Sequence, residues 1–395
     1  MVDLIGFAHS NFGKLPGAEV ETLMRQVAQV AVQDAGLEGG DIDAVVIGHF
    51  NPGLVAQGFT AGLAGGLLPG LHMKPAVRVE NACATGSAAV HHAAHLVQAG
   101  AARRVLVIGV EIMSGLPTRE VGNALLQACY VREEIDTPAG FAGMFSRLAD
   151  AYAERFGDPH PAMAKIAAKN HANGVHNPLA QLRTAVEESF CATESEKNPR
   201  VVGRLLRSDC SPISDGAAAL VVSARGAHDR RDQCVTLRAI AQTTDLMPLS
   251  QRDMSELAGA RAAWGQLMQR AGTTLADLDL LETHDCFTIA ELMQYEAIGL
   301  CPPGQGMRAL EEGWVMPGGR LPVNLSGGLK SKGHPVGATG VSMHVLAAWQ
   351  LLGRWRSAPL PCQSPPTNTL PPPCAPVVSI LLAAPRFILS ASRTT

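Results

Sequence analysis

The chain alternates strand-like apolar runs with helix-periodic runs, and it does so twice along its length. In the first unit Val20, Leu23, Met24, Val27, Val30 and Ala31 recur at helical spacing over residues 20–35, and Gly36 closes the run. Residues 42–48, 76–79 and 104–109 read as buried strands, with a helix opening at Cys83 and stopped by Gly100. Strand, helix, strand in this order restricts the chain to layered α/β architectures. The second unit starts near Cys234. It has strands at 235–240 and 278–282, helices at 253–271 and 287–298, a glycine-rich loop at 332–340 and a helix at 341–352. Ala84-Thr85-Gly86 opens a helix in the first unit, and Ala338-Thr339-Gly340 opens one in the second. The matched context points to an internal duplication.

Between the units, residues 117–200 carry more charge and scattered prolines, with helices expected at 144–156 and 162–173. They read as an insertion covering one face of a sheet. The expected organisation is 1–116 for the first part of the N-terminal half, 117–200 for the inserted cap, 201–233 for the closing strands of the N-terminal half, 234–353 for the second half and 354–395 for a proline-rich tail.

Of 395 residues, 47% are hydrophobic and 17% charged, with a net charge of −3. Such a balance gives no footing for a polyanion, so nucleic acid is not an expected partner. Small anions such as coenzyme A (CoA) remain compatible. No apolar run reaches about 18 residues, so no membrane span is expected. The nine cysteines form no Cys-x-x-Cys pair and no zinc-type Cys/His spacing. They read as reduced thiols of a cytoplasmic protein, with no metal expected.

Four side chains stand out chemically. Cys83 lies between a strand and a helix, where unpaired N–H groups and the helix dipole favour thiolate over thiol. By local features alone it is either a nucleophile or a structural cysteine. His284 and Cys286 follow a strand, and His334 sits on a Gly-His-Pro loop. Both places are strand C-terminal ends, where open α/β sheets build their sites. His91, His92, His95 and His344 read as core histidines. Lys330 and Lys332 read as solvated loop residues, and Met144 and Phe145 as core.

Asn81-Ala82-Cys83-Ala84-Thr85-Gly86-Ser87 and Gly333-His334-Pro335-Val336-Gly337-Ala338-Thr339-Gly340 together resemble the nucleophile and histidine motifs of the thiolase superfamily. His284-Asp285-Cys286-Phe287 resembles the motif of its sterol-carrier-protein type, where other thiolases have Asn-Glu-Ala-Phe. The resemblance covers roughly residues 1–353. It implies an α/β thiolase fold of two duplicated halves in a five-layer αβαβα sandwich with an inserted loop domain. It implies acyl transfer between thioesters and CoA, as thiolysis of a 3-oxoacyl-CoA or as Claisen condensation, through an S-acyl intermediate on Cys83. His334 then takes the thiol proton, Cys286 is the second acid/base, and His284 stabilises the enolate oxygen. Ser326, Gly327 and Gly328 are the implied CoA-binding residues. The resemblance also offers Lys330 and Lys332 to CoA phosphates, and Met144 and Phe145 to the lining of an acyl tunnel, as alternatives to a solvated loop and a packed core. No cofactor is implied beyond CoA and acyl-CoA as substrates. A homodimer or higher homo-oligomer is implied, with the sheet edge at Val77–Val79 available for pairing, and an OB-fold protein is a further candidate partner.

The tail departs from the family pattern. Residues 354–395 contain no Gly, Asp, Glu, Lys or His and hold nine of the 26 prolines. The family's closing glycine loop adds an oxyanion N–H beside the nucleophile. Here Pro371-Pro372-Pro373-Cys374 stands before the strand-like run 376–382, and proline supplies no N–H. The tail reads as foreign to the ancestral sequence, as after a reading-frame slip near 354. That leaves two alternatives to a fully active thiolase: a weakly active or non-catalytic CoA-binding scaffold, or a related condensing enzyme or retro-aldolase.

Overall fold

A computed structural model describes residues 1–229, 233–355, 375–382 and 386–392, the last two segments as backbone strands. The first half is built from β1 (Val2–His9), α1 (Val20–Asp34), β2 (Ala44–Gly48), β3 (Ala76–Val79), α2 (Thr85–Gln98) and β4 (Arg104–Glu111). Then come α3 (Phe141–Phe156), α4 (His160–Val175) and β5 (Gly216–Ala224). The second half comprises β6 (Val235–Thr243), α5 (Ala258–Ala271), β7 (Leu278–Thr283), α6 (Thr288–Ala297), α7 (Val336–Leu351), β8 (Ala375–Leu382) and β9 (Arg386–Ser392).

The strands run β3-β2-β4-β5-β1-β6-β8-β9-β7 in one continuous sheet. The halves join where Val2, Asp3 and Leu4 of β1 pair antiparallel with Leu237, Thr236 and Val235 of β6. Helices α2 and α7 pack against each other and lie between the halves, α7 touching β4 and β5 on one side and β7 and β9 on the other. Helix α1 covers the outer face of the first half and α5 that of the second. This is the five-layer order. Strand β4 shows how the sequence encodes it: Val105 and Val107 join the α2/α7 core, while Leu106, Ile108 and Val110 join the α1 core. Residues of alternating direction are apolar on both faces, as a strand buried between two helix layers requires.

Helices α2 and α7 cross where the two Ala-Thr-Gly motifs meet. A Cβ on Gly86 would stand 2.8 Å from the Gly340 nitrogen, and one on Gly340 would stand 2.2 Å from the Ser87 nitrogen. Only glycine permits that approach. Here the structure corrects an expectation. Residues 332–340 are not a continuous loop, because α7 already begins at Val336 and both Gly337 and Gly340 lie inside it. Their role is close packing rather than flexibility.

The cap helices α3 and α4 share a core with α6, with Phe145, Leu148, Met163 and Ile166 packed among Phe287, Ile289 and Leu292. A strand occupies the expected position near 376–382. The Pro371–Cys374 approach lies outside the described residues. Cys83, Cys129, Cys191, Cys210, Cys286 and Cys301 carry no disulfide. Cys234 is disulfide-bonded, so the expectation of uniformly reduced thiols fails there. Among the described residues no helix is long and apolar enough to cross a membrane.

Candidate active site

Cys83 occupies a sharp elbow between β3 and α2. A single 3₁₀ turn, Ala82–Ala84, leads into the helix, and Ala82 takes a left-handed φ of 47°. That conformation is strained for a residue with a Cβ, so its surroundings must impose it. They do so through three hydrogen bonds: Ala82 N–H donates to Glu80 Oε1 (2.5 Å), Asn81 N–H to Thr85 Oγ1 (2.9 Å) and Ala84 N–H to Asn81 O (2.8 Å).

The α2–α7 crossing brings His334 to Cys83, and the β7–α6 loop adds His284. Cys83 Sγ and one ring nitrogen from each histidine all lie within 4.8 Å of one another. The two imidazoles meet edge to face, with centroids 4.9 Å apart at 82°. Cys286, 3% exposed, joins Cys83 and His334 in lining a largely apolar cavity of about 100 Å³ walled by Met113, Ile213 and Phe287. All four expected chemical residues are therefore assembled in one place.

The tautomer of His334 follows from its partners. Thr339 Oγ1 donates its one proton to Pro335 O (2.9 Å), so it can only accept from His334 Nδ1 (2.7 Å). Nδ1 thus carries the hydrogen, and the lone pair sits on Nε2. Thr339 and Thr85 are the matched residues of the duplicated motif, and each hydroxyl fixes the segment before its own helix. His334 N–H is held by Ser214 Oγ at 2.9 Å. Burial, helped by the Lys332 charge, lowers the His334 pKa to about 3, so the imidazole rests neutral.

The Cys83 thiol contradicts the expectation of a resting thiolate. Burial, with the carboxylates of Glu111 and Glu80 adding to it, pushes its pKa up to about 12. Desolvation and two negative neighbours outweigh the helix terminus. Alkylation of Cys83 by iodoacetamide should therefore be slower at pH 7 than that of an exposed cysteine. Its rate should climb about tenfold per pH unit between pH 7 and 10. A rate that levels off near pH 7 would show a low-pKa thiol instead.

Glu111 was not singled out by the sequence. It is fully buried at the end of β4 and accepts from the N–H groups of Phe50 (3.1 Å), Asn51 (3.0 Å) and Gly337 (2.9 Å). One carboxylate thereby ties the loop after β2 to the start of α7. A lone acid closing the apolar run Val105–Val110 was its only signal. Arg78 is comparable, donating to the carbonyls of His49, Phe50 and Gly58 and holding the same loop.

Beneath His284 and Cys286 lies a buried polar network. Asp285 turns away from the cavity, accepting from Leu329 N (2.6 Å), Lys330 N (3.1 Å) and Asn170 Nδ2 (2.7 Å). Burial and the neighbouring Glu291 push the Asp285 pKa up. Glu291 pairs with Lys169 at 2.7 Å, both side chains at most 1% exposed. Gln294 clamps the His284 backbone by donating to its carbonyl at 3.0 Å.

Other expected residues lie elsewhere. Ser326 spends its hydroxyl on Glu282 Oε2 (2.6 Å), and Gly327 and Gly328 are buried with φ of 96° and 57°. A Cβ on Gly328 would stand 2.2 Å from Asp285 Oδ2, and none of the three lines the cavity. Lys330 and Lys332 are not loop residues in solvent. They are 3% and 0% exposed, on the short helix Gly328–Lys332 that Asp285 draws inward. Of the helix histidines, His91 and His344 are buried, and His344 Nδ1 donates to Gly340 O (2.7 Å). His95 is exposed, because its face of α2 points away from the core. Met144 and Phe145 are both core and lining. Phe145 stacks on Phe287 at 4.4 Å, and both Met144 and Phe145 wall a second cavity of about 560 Å³ beside the first.

Comparison with known proteins agrees with this architecture. The family model described as thiolase, N-terminal domain, matches residues 2–226. The thiolase C-terminal domain-like model matches residues 241–362. The acetyl-CoA acetyltransferase of Methanothermobacter thermautotrophicus is 34% identical, over 89% of this chain and 91% of its own. Human sterol carrier protein 2 is 31% identical over 89% of this chain, which spans only 66% of that longer protein. Among solved structures, an Ltp2–ChsH2(DUF35) aldolase superposes with a TM-score of 0.77 at 21% identity, covering 100% of this chain and 98% of that one.

Proposed function

The chain belongs to the thiolase family, and from that premise we propose that it moves acyl groups between thioesters and CoA through an S-acyl Cys83 intermediate. The convergence of Cys83, His334 and His284 at the edge of a cavity that also holds Cys286 carries this reading.

The resting pair is a neutral thiol beside a neutral imidazole, so charge separates only as the substrate arrives. His334 Nε2 takes the Cys83 proton while Sγ attacks the thioester carbonyl. The Cys83 N–H faces the developing oxyanion. The C–S bond of the thioester breaks, CoA leaves with a proton returned from His334, and the acyl group stays on Cys83. In the condensing direction Cys286 removes a proton from C2 of a second thioester. Cys286 acts there as a thiolate, and His284 hydrogen-bonds to the enolate oxygen. The carbanion attacks the acyl-Cys83 carbonyl, the Cys83 S–C bond breaks, and the released Cys83 sulfur takes back the proton held on Cys286. Thiolysis is the same path reversed. The 560 Å³ cavity shares Phe50, Ala128, Phe141 and Phe145 with the smaller one, which suits it to the non-reacting part of the substrate. Strand β3 is a sheet edge with Val77 37% exposed, and it is the surface on which a homo-oligomer would pair.

The test is turnover by the purified chain. Acetoacetyl-CoA plus CoA should be consumed with formation of two acetyl-CoA. Binding of CoA without consumption of any 3-oxoacyl-CoA offered would favour the non-catalytic scaffold instead.

A further inference from the structure

We propose that Cys83, His284 and His334 form a binding site for Zn²⁺, which on binding withdraws the nucleophile and its base together and makes the site reversibly zinc-inhibited. Residues 83, 284 and 334 come from three distant segments, so no ligand spacing announces the site in the sequence. The fold supplies it. A tetrahedral zinc with Zn–S of about 2.3 Å and Zn–N of about 2.0 Å wants its ligand atoms about 3.4–3.6 Å apart. Here the sulfur and two nitrogens already lie within 4.8 Å of one another. Small side-chain rotations close the difference.

The surroundings favour a cation more than they oppose it. His334 has its Nδ1 hydrogen held by Thr339 Oγ1 at 2.7 Å, which presents the Nε2 lone pair as a ligand. Such an outer oxygen partner is what a metal-bound imidazole requires. The Glu111 and Glu80 charges that act on Cys83 disfavour a bare thiolate, and for the same reason they favour a dication bound to it. Lys332 is the opposing charge, acting on His334. Three protein ligands leave a fourth position for water, toward the 100 Å³ cavity. On binding, the Cys83 S–H bond breaks, the sulfur lone pair joins the metal and one proton goes to solvent.

The test uses the full chain, titrated with Zn²⁺ and, as a spectroscopic substitute, Co²⁺. One metal per chain is expected by native mass spectrometry at micromolar metal. Cobalt should show a thiolate charge-transfer band and the strong visible bands of four-coordination, both reversed by chelator. Zinc should also slow alkylation of the Cys83 peptide in the unaltered protein, which needs no variant. Cys83→Ser and His284→Gln should each weaken binding about 100-fold or more, while Cys129→Ala should bind as the parent does. Circular dichroism identifies any variant that misfolds, and the other then carries the comparison. Absence of a one-to-one complex, a charge-transfer band that survives Cys83→Ser, or unchanged alkylation of Cys83 under zinc would each overturn the site. These readouts record binding and not acyl transfer, so their failure leaves the thiolase reading untouched.

Discussion

Cys83→Ala is expected to lower turnover of a 3-oxoacyl-CoA by about 10⁴-fold or more, with CoA binding changed by less than about twofold. The reason is chemical rather than structural. Cys83 borders a cavity rather than a packed core, so its truncation should cost no more than about 1 kcal/mol of stability. What disappears is the atom that carries the acyl group. His334 Nε2 then has no thiol to deprotonate, and the remaining oxyanion and enolate contacts have no covalent intermediate to act on. Residual turnover within tenfold of the parent would place the nucleophile elsewhere. Cys286 would be the first candidate, because it lines the same cavity.

The second large effect is on stability. Glu291→Ala should destabilise the fold by about 3–5 kcal/mol in chemical denaturation. Glu291 accepts from Asn170 Nδ2 (2.6 Å) and Asn324 Nδ2 (2.9 Å), and from the Tyr295 hydroxyl, besides pairing with Lys169. Removing it leaves the Lys169 ammonium buried, donating to Val323 O 2.9 Å away but with no carboxylate in its ion pair. Asn324, which sits at a φ of 57° and accepts from Thr283 N, loses one of its anchors. Thr283 ends β7 directly before His284, so turnover should fall along with stability. Replacing both members, Lys169→Met with Glu291→Leu, should recover part of the loss, because no uncompensated charge remains. A single-variant cost below about 1 kcal/mol would show that water reaches the pair.

Much of this was legible from the residues themselves. Strand–helix alternation, the doubled Ala-Thr-Gly motif and the positions of Cys83, His284, Cys286 and His334 depend on local pattern, and the fold assembles all four. The parts that escaped depend on what other segments bring near. Gly337 and Gly340 looked like loop residues because glycine is read first as a turn former, and only the α2–α7 crossing shows why a helix needs them. Cys83 looked like a thiolate because the helix terminus is local, whereas Glu111 approaches from β4 and the desolvation comes from the cap. Lys332 looked exposed by its charge, yet the Asp285 contacts to Leu329 and Lys330 pull its helix into the core. Residues 326–328 are tied to CoA by resemblance alone; in the fold Gly328 lets the chain pass close to Asp285 and Gly327 lets it pass close to Gly174.

The central claim is that Cys83 carries the acyl group. Intact-mass analysis after mixing with acetyl-CoA or acetoacetyl-CoA, followed by peptide mapping, tests it directly. The account predicts one acyl adduct per chain on the Cys83 peptide, discharged by added CoA and absent in Cys83→Ala. Turnover with no adduct, or an adduct on another residue that persists in Cys83→Ala, would contradict it.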